Sequence, residues 1–169
     1  NAGDTRQQGI ELTADYSKVF EKSIFKTLLL NAAYTFNHFE YGNFKKGNID
    51  FSGKKLPGVP ESSISVLADI TLVKNIYINS TFFHASRIFL NDANTVLADS
   101  YNLLGCRVGW KPVIKRNILN FYMGIDNLLN EKYSLGNDIN AAGGRYYNAA
   151  AERNYYVGLA VELPFADKK

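Results

Sequence analysis

Strict alternation of apolar and polar residues recurs seven times along this chain, and it constrains the fold more than any other feature. The clearest case lies in "ILNFYMGIDNLLNEKY", residues 118 to 133. Leu119, Phe121, Met123 and Ile125 fall on one parity, and Asn120, Tyr122, Gly124 and Asp126 on the other. Successive side chains of a β-strand point to opposite faces, so period two describes a strand with one apolar and one polar face. The same pattern appears in "GIELTADYSK", "LLLNAAYTFNHF", "ISVLADITLV", "LLGCRVGWK" and "YYVGLAVELPF", and less regularly in "IYINSTFFHASRIF". No segment has a helical period. The chain is all-β.

A single strand does not say which face meets water. The connections help. Those after the first, third and fifth strands are short ("VFEKSIFK", "KN", "IKRN"), whereas those after the second, fourth and sixth are long. An antiparallel up-and-down sheet places alternate connections at the same end. One end therefore has tight turns, and the other has loops of up to about 20 residues, a length that is commonly functional. Outer-membrane barrels sort their connections in this way. Strands of about 9 to 12 residues also suit a tilted membrane crossing better than the average soluble strand. Tyr16, Tyr34, Phe36, Trp110, Tyr155 and Phe165 gather near strand ends, as an interfacial aromatic girdle requires. On this reading Leu119, Phe121, Met123 and Ile125 face lipid, Asn120, Tyr122 and Asp126 face a wet interior, and the break at "NLLN" marks the exit into an external loop.

Composition fits a folded chain: of 169 residues, 46% are hydrophobic, 14% aromatic and 21% charged. No apolar run approaches the ~18 residues of a membrane helix, and that limit does not touch a barrel. The net charge of +3 is too small to point to nucleic acid. Cys106 is the one cysteine, which excludes an internal disulfide, and it reads as a small wall residue. The chain opens on "NAGDTRQQG" without Met, and is expected to be a piece of a longer protein.

Four short motifs, in order along almost the whole chain, resemble the TonB-dependent outer-membrane receptors. "NAGDTRQQGIEL" is similar to the family's entry into a late barrel strand, with Gly9 and Glu11. "GKKLPGVPESSISVLADI" resembles its loop exit, with Gly53, Leu56, Pro57 and Pro60. "MGIDNLLNEKY" resembles the penultimate strand, with Gly124, Asn127, Leu128 and Tyr133. "GRYYNAAAERNYYVGLAVELPF" looks like the closing segment, with Gly144, Arg145, Tyr146, Arg153, Asn154 and Gly158.

The resemblance implies that residues 1–169 are the C-terminal part of a β-barrel of about 22 strands whose lumen a separate plug fills. It also implies a bacterial outer-membrane address, a periplasmic C-terminus and long loops outside. The implied activity is uptake of a metal chelate such as an iron siderophore, energised by a TonB-type partner acting on a plug that is absent from this chain. Lipopolysaccharide and the barrel assembly machinery are further implied partners. One departure is the "ADKK" tail after Phe165, where the family usually ends on its terminal aromatic. The rival readings are a soluble β-barrel ligand binder, and an outer-membrane enzyme or adhesin.

Enzyme chemistry has little support, and no catalytic residue, metal ligand or cofactor is expected. His38 and His84 sit in no metal-binding spacing, and no G-x-S-x-G occurs. Ser86 lies near His84, as one serine beside a histidine does by chance. "NDAN" (91–94) and "GNDIN" (136–140) offer hard oxygens for Ca²⁺, although Asx-rich turns explain such runs more simply. Lys45, Lys46, Lys54 and Lys55 form a solvated loop or a collar for anionic chelates and lipopolysaccharide phosphates. In the last loop Tyr133, Arg145, Tyr146, Tyr147 and Arg153 are the candidate ligand-binding residues. Aromatic faces beside guanidinium groups can grip planar or catecholate ligands, or equally pin the loop to the rim. Arg107, Lys111, Asp69, Asp126 and Glu162 are expected in the lumen, paired across strands or against a plug. Closing seven strands on themselves would crowd these charges, so the first and last strands are expected to pair outside this chain.

Overall fold

The structure, a computed structural model, describes residues 3–163. Seven strands run antiparallel in chain order: β1 (Thr5–Val19), β2 (Phe25–Tyr41), β3 (Ser62–Leu72), β4 (Ile76–Ala85), β5 (Tyr101–Trp110), β6 (Asn117–Asp126) and β7 (Asn154–Glu162). Each pairs with its neighbours in sequence, giving a curled half-barrel. Among the described residues β1 and β7 are not bonded to each other, so each leaves one edge unpaired. A soluble closed barrel needs that missing seam.

Residues directly opposite each other in an antiparallel ladder share a face, so the register tests the alternation strand by strand. Phe121 lies opposite Leu159 and Trp110, and Met123 opposite Val157 and Val108. The row continues through Ile78, Ile70 and Leu28. One face is thus a continuous apolar band. The opposite face carries Asn120, Tyr122, Arg107, Asn79, Asp69, Asn31 and Asp15 in register. Leu29, Leu67 and Leu103 also fall on this polar face and interrupt it.

The apolar band is exposed. Met123 is 62% accessible and Val157 81%, and Leu12, Trp110 and Phe121 are open as well. A soluble monomer rarely leaves an apolar patch of more than a few hundred Å² uncovered. Buried hydrophobics do occur, namely Phe51, Ala85, Ile88, Leu90 and Ala98, but they lie in the long loops and at the loop end of β4. The core of this chain is in its loops, not behind its wall.

Two expectations need correction. First, β1 and β2 have 15 and 17 residues, longer than a bare crossing needs. Their excess lies at the loop end, where Arg6, Gln8, His38 and Glu40 turn the apolar face polar, while Phe39 and Tyr41 lie on the other face, and the hairpin stands clear of the apolar band. Second, the long loops, expected only as connections between strands, have strands of their own. They contain three two-stranded ribbons, pairing residues 45–46 with 49–50, 88–89 with 97–98, and 134–137 with 147–149. Tyr16 and Trp110 lie towards the short-turn end of the apolar face, and Tyr34, Phe36 and Tyr155 towards the loop end. Phe165 and the "ADKK" tail lie outside the described residues.

On the polar face, Tyr rings lie flat over glycines of the adjacent strand. Tyr77 covers Gly109, Tyr156 covers Gly124, and Tyr122 covers Gly158, and a methyl group at any of these glycines would overlap the ring. The absent side chain is what lets the ring lie down. Gly158→Ala should therefore push Tyr122 off the wall. The expected cost is about 1–2 kcal/mol, in the lower part of the overpacking range because a ring tip can swing. Denaturant unfolding checks this, and an unchanged midpoint would show the ring to be free already.

Candidate functional site

The long loops at the end of β2, β4 and β6 fold into one body. Leu90 is fully buried at 0% and packs with Ile88 and Ala98, with Val96 and Tyr146 closing over them. The polar residues between these apolar ones join the loops. Asp92 accepts from the Tyr41 hydroxyl at 2.7 Å and from Asn140 Nδ2 at 2.9 Å, and its own amide donates to Asn140 Oδ1. The Asn94 side chain brackets Lys55, accepting from its amide at 2.8 Å and donating to its carbonyl at 2.9 Å. Gly58 N donates to Phe89 O, and Asn140 N to Leu90 O. Burial, together with the Asp92 carboxylate beside it, raises the Tyr41 phenol well above its ordinary value, which keeps it a donor. The oxygens of "NDAN" are spent on such bonds: Asn91 Oδ1 accepts from Thr95 and Val96. These bonds reach four or five residues on, or across to another loop, rather than the two residues of an Asx turn, and they tie the loops into one platform.

The five candidate residues do not come together. Tyr133 stacks on Tyr101 with centroids 5.3 Å apart. Tyr133 and Tyr147 line one cavity of about 320 Å³ with Tyr101, Lys132 and Asn137. Asn137 Oδ1 is buried there without a hydrogen-bond partner. Tyr146 instead packs on the Leu90 cluster. Arg145 and Arg153 are exposed, and Arg153 is fixed only through its amide to Asn130 Oδ1.

Cation–aromatic contact occurs elsewhere, on the polar wall. The Arg107 guanidinium lies over Tyr122 at 5.2 Å and Tyr156 at 5.7 Å, and its Nε donates to the Tyr156 hydroxyl at 3.3 Å. Lys111 lies over Tyr77, whose hydroxyl donates to Asn120. The sequence does not flag these tyrosines, because the contacts depend on register between strands far apart in the chain. Asp69 accepts from Asn79. Among the described residues none of Asp69, Arg107, Lys111, Asp126 and Glu162 forms an ion pair within this chain. The ion pairs there are all at the loop end: His38 and Lys55 with Glu40, Lys55 with Glu61, and Lys45 with Asp50.

A second cavity, of about 410 Å³, lies at the loop bases and is lined by Lys55, Leu56, Glu61, His84, Ser86 and Phe89 among others. His84 Nδ1 is engaged with Asn102 Oδ1 at 2.8 Å, and Ser86 Oγ accepts from the Ser62 amide. The histidine and serine are each held by other groups, and they make no nucleophile–base pair.

A half-barrel with an exposed apolar face, a polar opposite face and packed loops at one end has a known counterpart. The family model described as TonB dependent receptor-like, beta-barrel, matches residues 1–128. The chain belongs to that family. Its strands follow those of solved TonB-dependent receptors as well. The siderophore receptor PiuA from Acinetobacter baumannii matches over 94% of this chain and 22% of its own, at 17% identity and a TM-score of 0.71. The ferric yersiniabactin uptake receptor FyuA from Yersinia pestis matches over 95% and 24%, at 18% identity and 0.66. The ferric citrate transporter FecA, in unliganded form, matches over 80% and 21%, at 21% identity and 0.65. At these identities the likeness establishes the fold. The chain spans about a fifth to a quarter of the length of these receptors.

Proposed function

We propose that this chain is the C-terminal wall of an outer-membrane receptor that takes up a ferric chelate, with energy supplied through a plug by a TonB-type periplasmic partner. The observation that carries the reading is the loop platform: the loops after β4 and β6 share one buried cluster and line an aromatic cavity, and hydrogen bonds tie the loop after β2 to them, at one end of a polar-walled half-barrel. A merely solvated loop set has no need of a common core. The relatives named for siderophores, ferric yersiniabactin and ferric citrate support this substrate class. Tyr133 and Tyr147 would meet the chelate through their ring faces, and Asn137 Oδ1 would accept from it. Tyr146 holds the platform together, and Arg145 and Arg153 attract an anionic ligand from solvent. The lumenal charges that find no ion-pair partner among the described residues would meet the plug, and Lys45, Lys46 and Lys54 would meet lipopolysaccharide phosphates. Assembly would proceed through the outer-membrane insertion machinery.

Growth of a deletion strain on a panel of defined iron sources is the test. Growth is expected to fail on one ferric chelate and to return with the intact gene. A Tyr133→Ala, Tyr147→Ala receptor should restore it only at about tenfold higher chelate, the loss expected from two aromatic contacts. Undiminished growth on every chelate, with loss on cobalamin or a glycan, would overturn the ferric substrate.

A further inference from the structure

The short-turn end carries a charge pattern that the wall does not explain. Its first turn has Lys18, Lys22 and Lys26 against Glu21; its second has Lys74; its third has Lys111, Lys115 and Arg116, with Glu162 on the nearby end of β7. All are exposed, and among the described residues none of these cations is in an ion pair. Two of them sit in backbone conformations that disfavour lysine: Lys74 has φ 60 and Lys115 φ 59. Glycine or asparagine would occupy the left-handed region at lower cost.

Beside the second and third turns, the apolar face forms a shallow, open groove of about 680 Å³ lined by Ile76, Val108, Trp110, Phe121, Met123 and Val157, with Lys74 at its mouth. Trp110 and Phe121 stack at 6.1 Å along it. The two turns are joined, since the Lys111 amide donates to Asn75 O at 2.9 Å, and this places the Lys111–Arg116 hairpin next to Lys74. A shallow apolar groove, an interfacial tryptophan and Lys74 at its mouth, with Lys115 and Arg116 at the tip of the adjoining hairpin, match a single amphiphile: acyl chain along the groove, anionic headgroup at the turns.

We propose that this groove is a binding site for an anionic diacyl phospholipid of the leaflet at the short-turn end, with Lys74, Lys115 and Arg116 as its headgroup contacts. The proposal rests on the apolar face meeting lipid, and it goes further by requiring a headgroup preference at one end. A second copy of the chain does not suit the groove, because its cations would face their own like.

The test uses the whole receptor, purified in neutral detergent, with phosphatidylglycerol or phosphatidylcholine added and bound lipid counted by native mass spectrometry. Phosphatidylglycerol should be retained in preference. Lys74→Asn, which keeps the left-handed turn comfortable, should lower that retention about fivefold, the effect of one interfacial cation. Lys74→Asn with Lys115→Asn should lower it further, whereas Lys45→Gln with Lys46→Gln at the loop end should not. Circular dichroism confirms that each variant is folded. Lipid bound without headgroup preference, or preference intact in the double variant, overturns the proposal and leaves the lipid-facing wall standing. A receptor that stays monomeric without detergent and takes up neither lipid overturns both. Capture of an acidic protein in place of lipid would overturn the choice of occupant.

Discussion

Met123→Arg is expected to destabilise the membrane-inserted receptor by about 2–4 kcal/mol, the range for a cation on the lipid face near mid-bilayer. Met123 lies in the middle of β6 on the apolar face, flanked by Val108 and Val157, and is 62% exposed. That exposure makes the substitution decisive. In a water-soluble sheet an open methionine takes arginine within about 0.5 kcal/mol. In lipid the guanidinium must be dragged to an interface or solvated by a water defect. Ala160→Arg is the matched control. It lies one strand away on the polar face, opposite Asn120, where an arginine reaches water, and should be close to neutral. Reversible urea unfolding from lipid vesicles measures both. Equal midpoints for the two variants would remove the apolar face from lipid.

The wall was legible because its rule is local. A strand's parity assigns every side chain to a face, so Leu119, Phe121 and Ile125 could be placed together, away from Asn120 and Asp126, without knowing which strands were neighbours. The ladder then joined these faces as expected. The loops were not legible in this way. Leu90 is the most deeply buried large side chain, but it is a single leucine before an Asx run, and its burial comes from Val96, Ala98 and Tyr146, the last more than fifty residues away. Pairing at a distance also hid the Tyr101–Tyr133 stack and the Arg107 contacts with Tyr122 and Tyr156. The candidate set gathered Tyr133, Arg145, Tyr146, Tyr147 and Arg153 because they are near in sequence. A ribbon alternates its faces like any strand, so such neighbours are separated as readily as joined.

Asn127→Ala should release the last loop at a cost of about 3 kcal/mol while the wall stays folded. Asn127 was visible only as a fixed point in a motif, and its environment supplies the reason. It is 6% exposed, and its φ of 51 turns the chain out of β6 in a conformation that asparagine tolerates better than alanine. Its Oδ1 accepts from the Glu131 amide at 2.8 Å, and its Nδ2 donates to Glu131 O at 2.8 Å and more weakly to Ala151 O at 3.4 Å. One side chain thus closes the 127–131 turn that opens the loop, and its weak third bond touches the loop's far end. Alanine loses the two strong bonds, leaves the Glu131 groups without partners, and adds left-handed strain. Aspartate keeps the turn and the acceptor but loses the donor, and should show roughly half the effect. Limited proteolysis between residues 131 and 150, with hydrogen exchange at the Glu131 amide, distinguishes the loop from the barrel. Wild-type protection in Asn127→Ala would mean that the clip is ornamental. If the loop is released, Tyr133 and Tyr147 lose their fixed positions, and chelate affinity should fall in Asn127→Ala although Asn127 does not line the Tyr133–Tyr147 cavity.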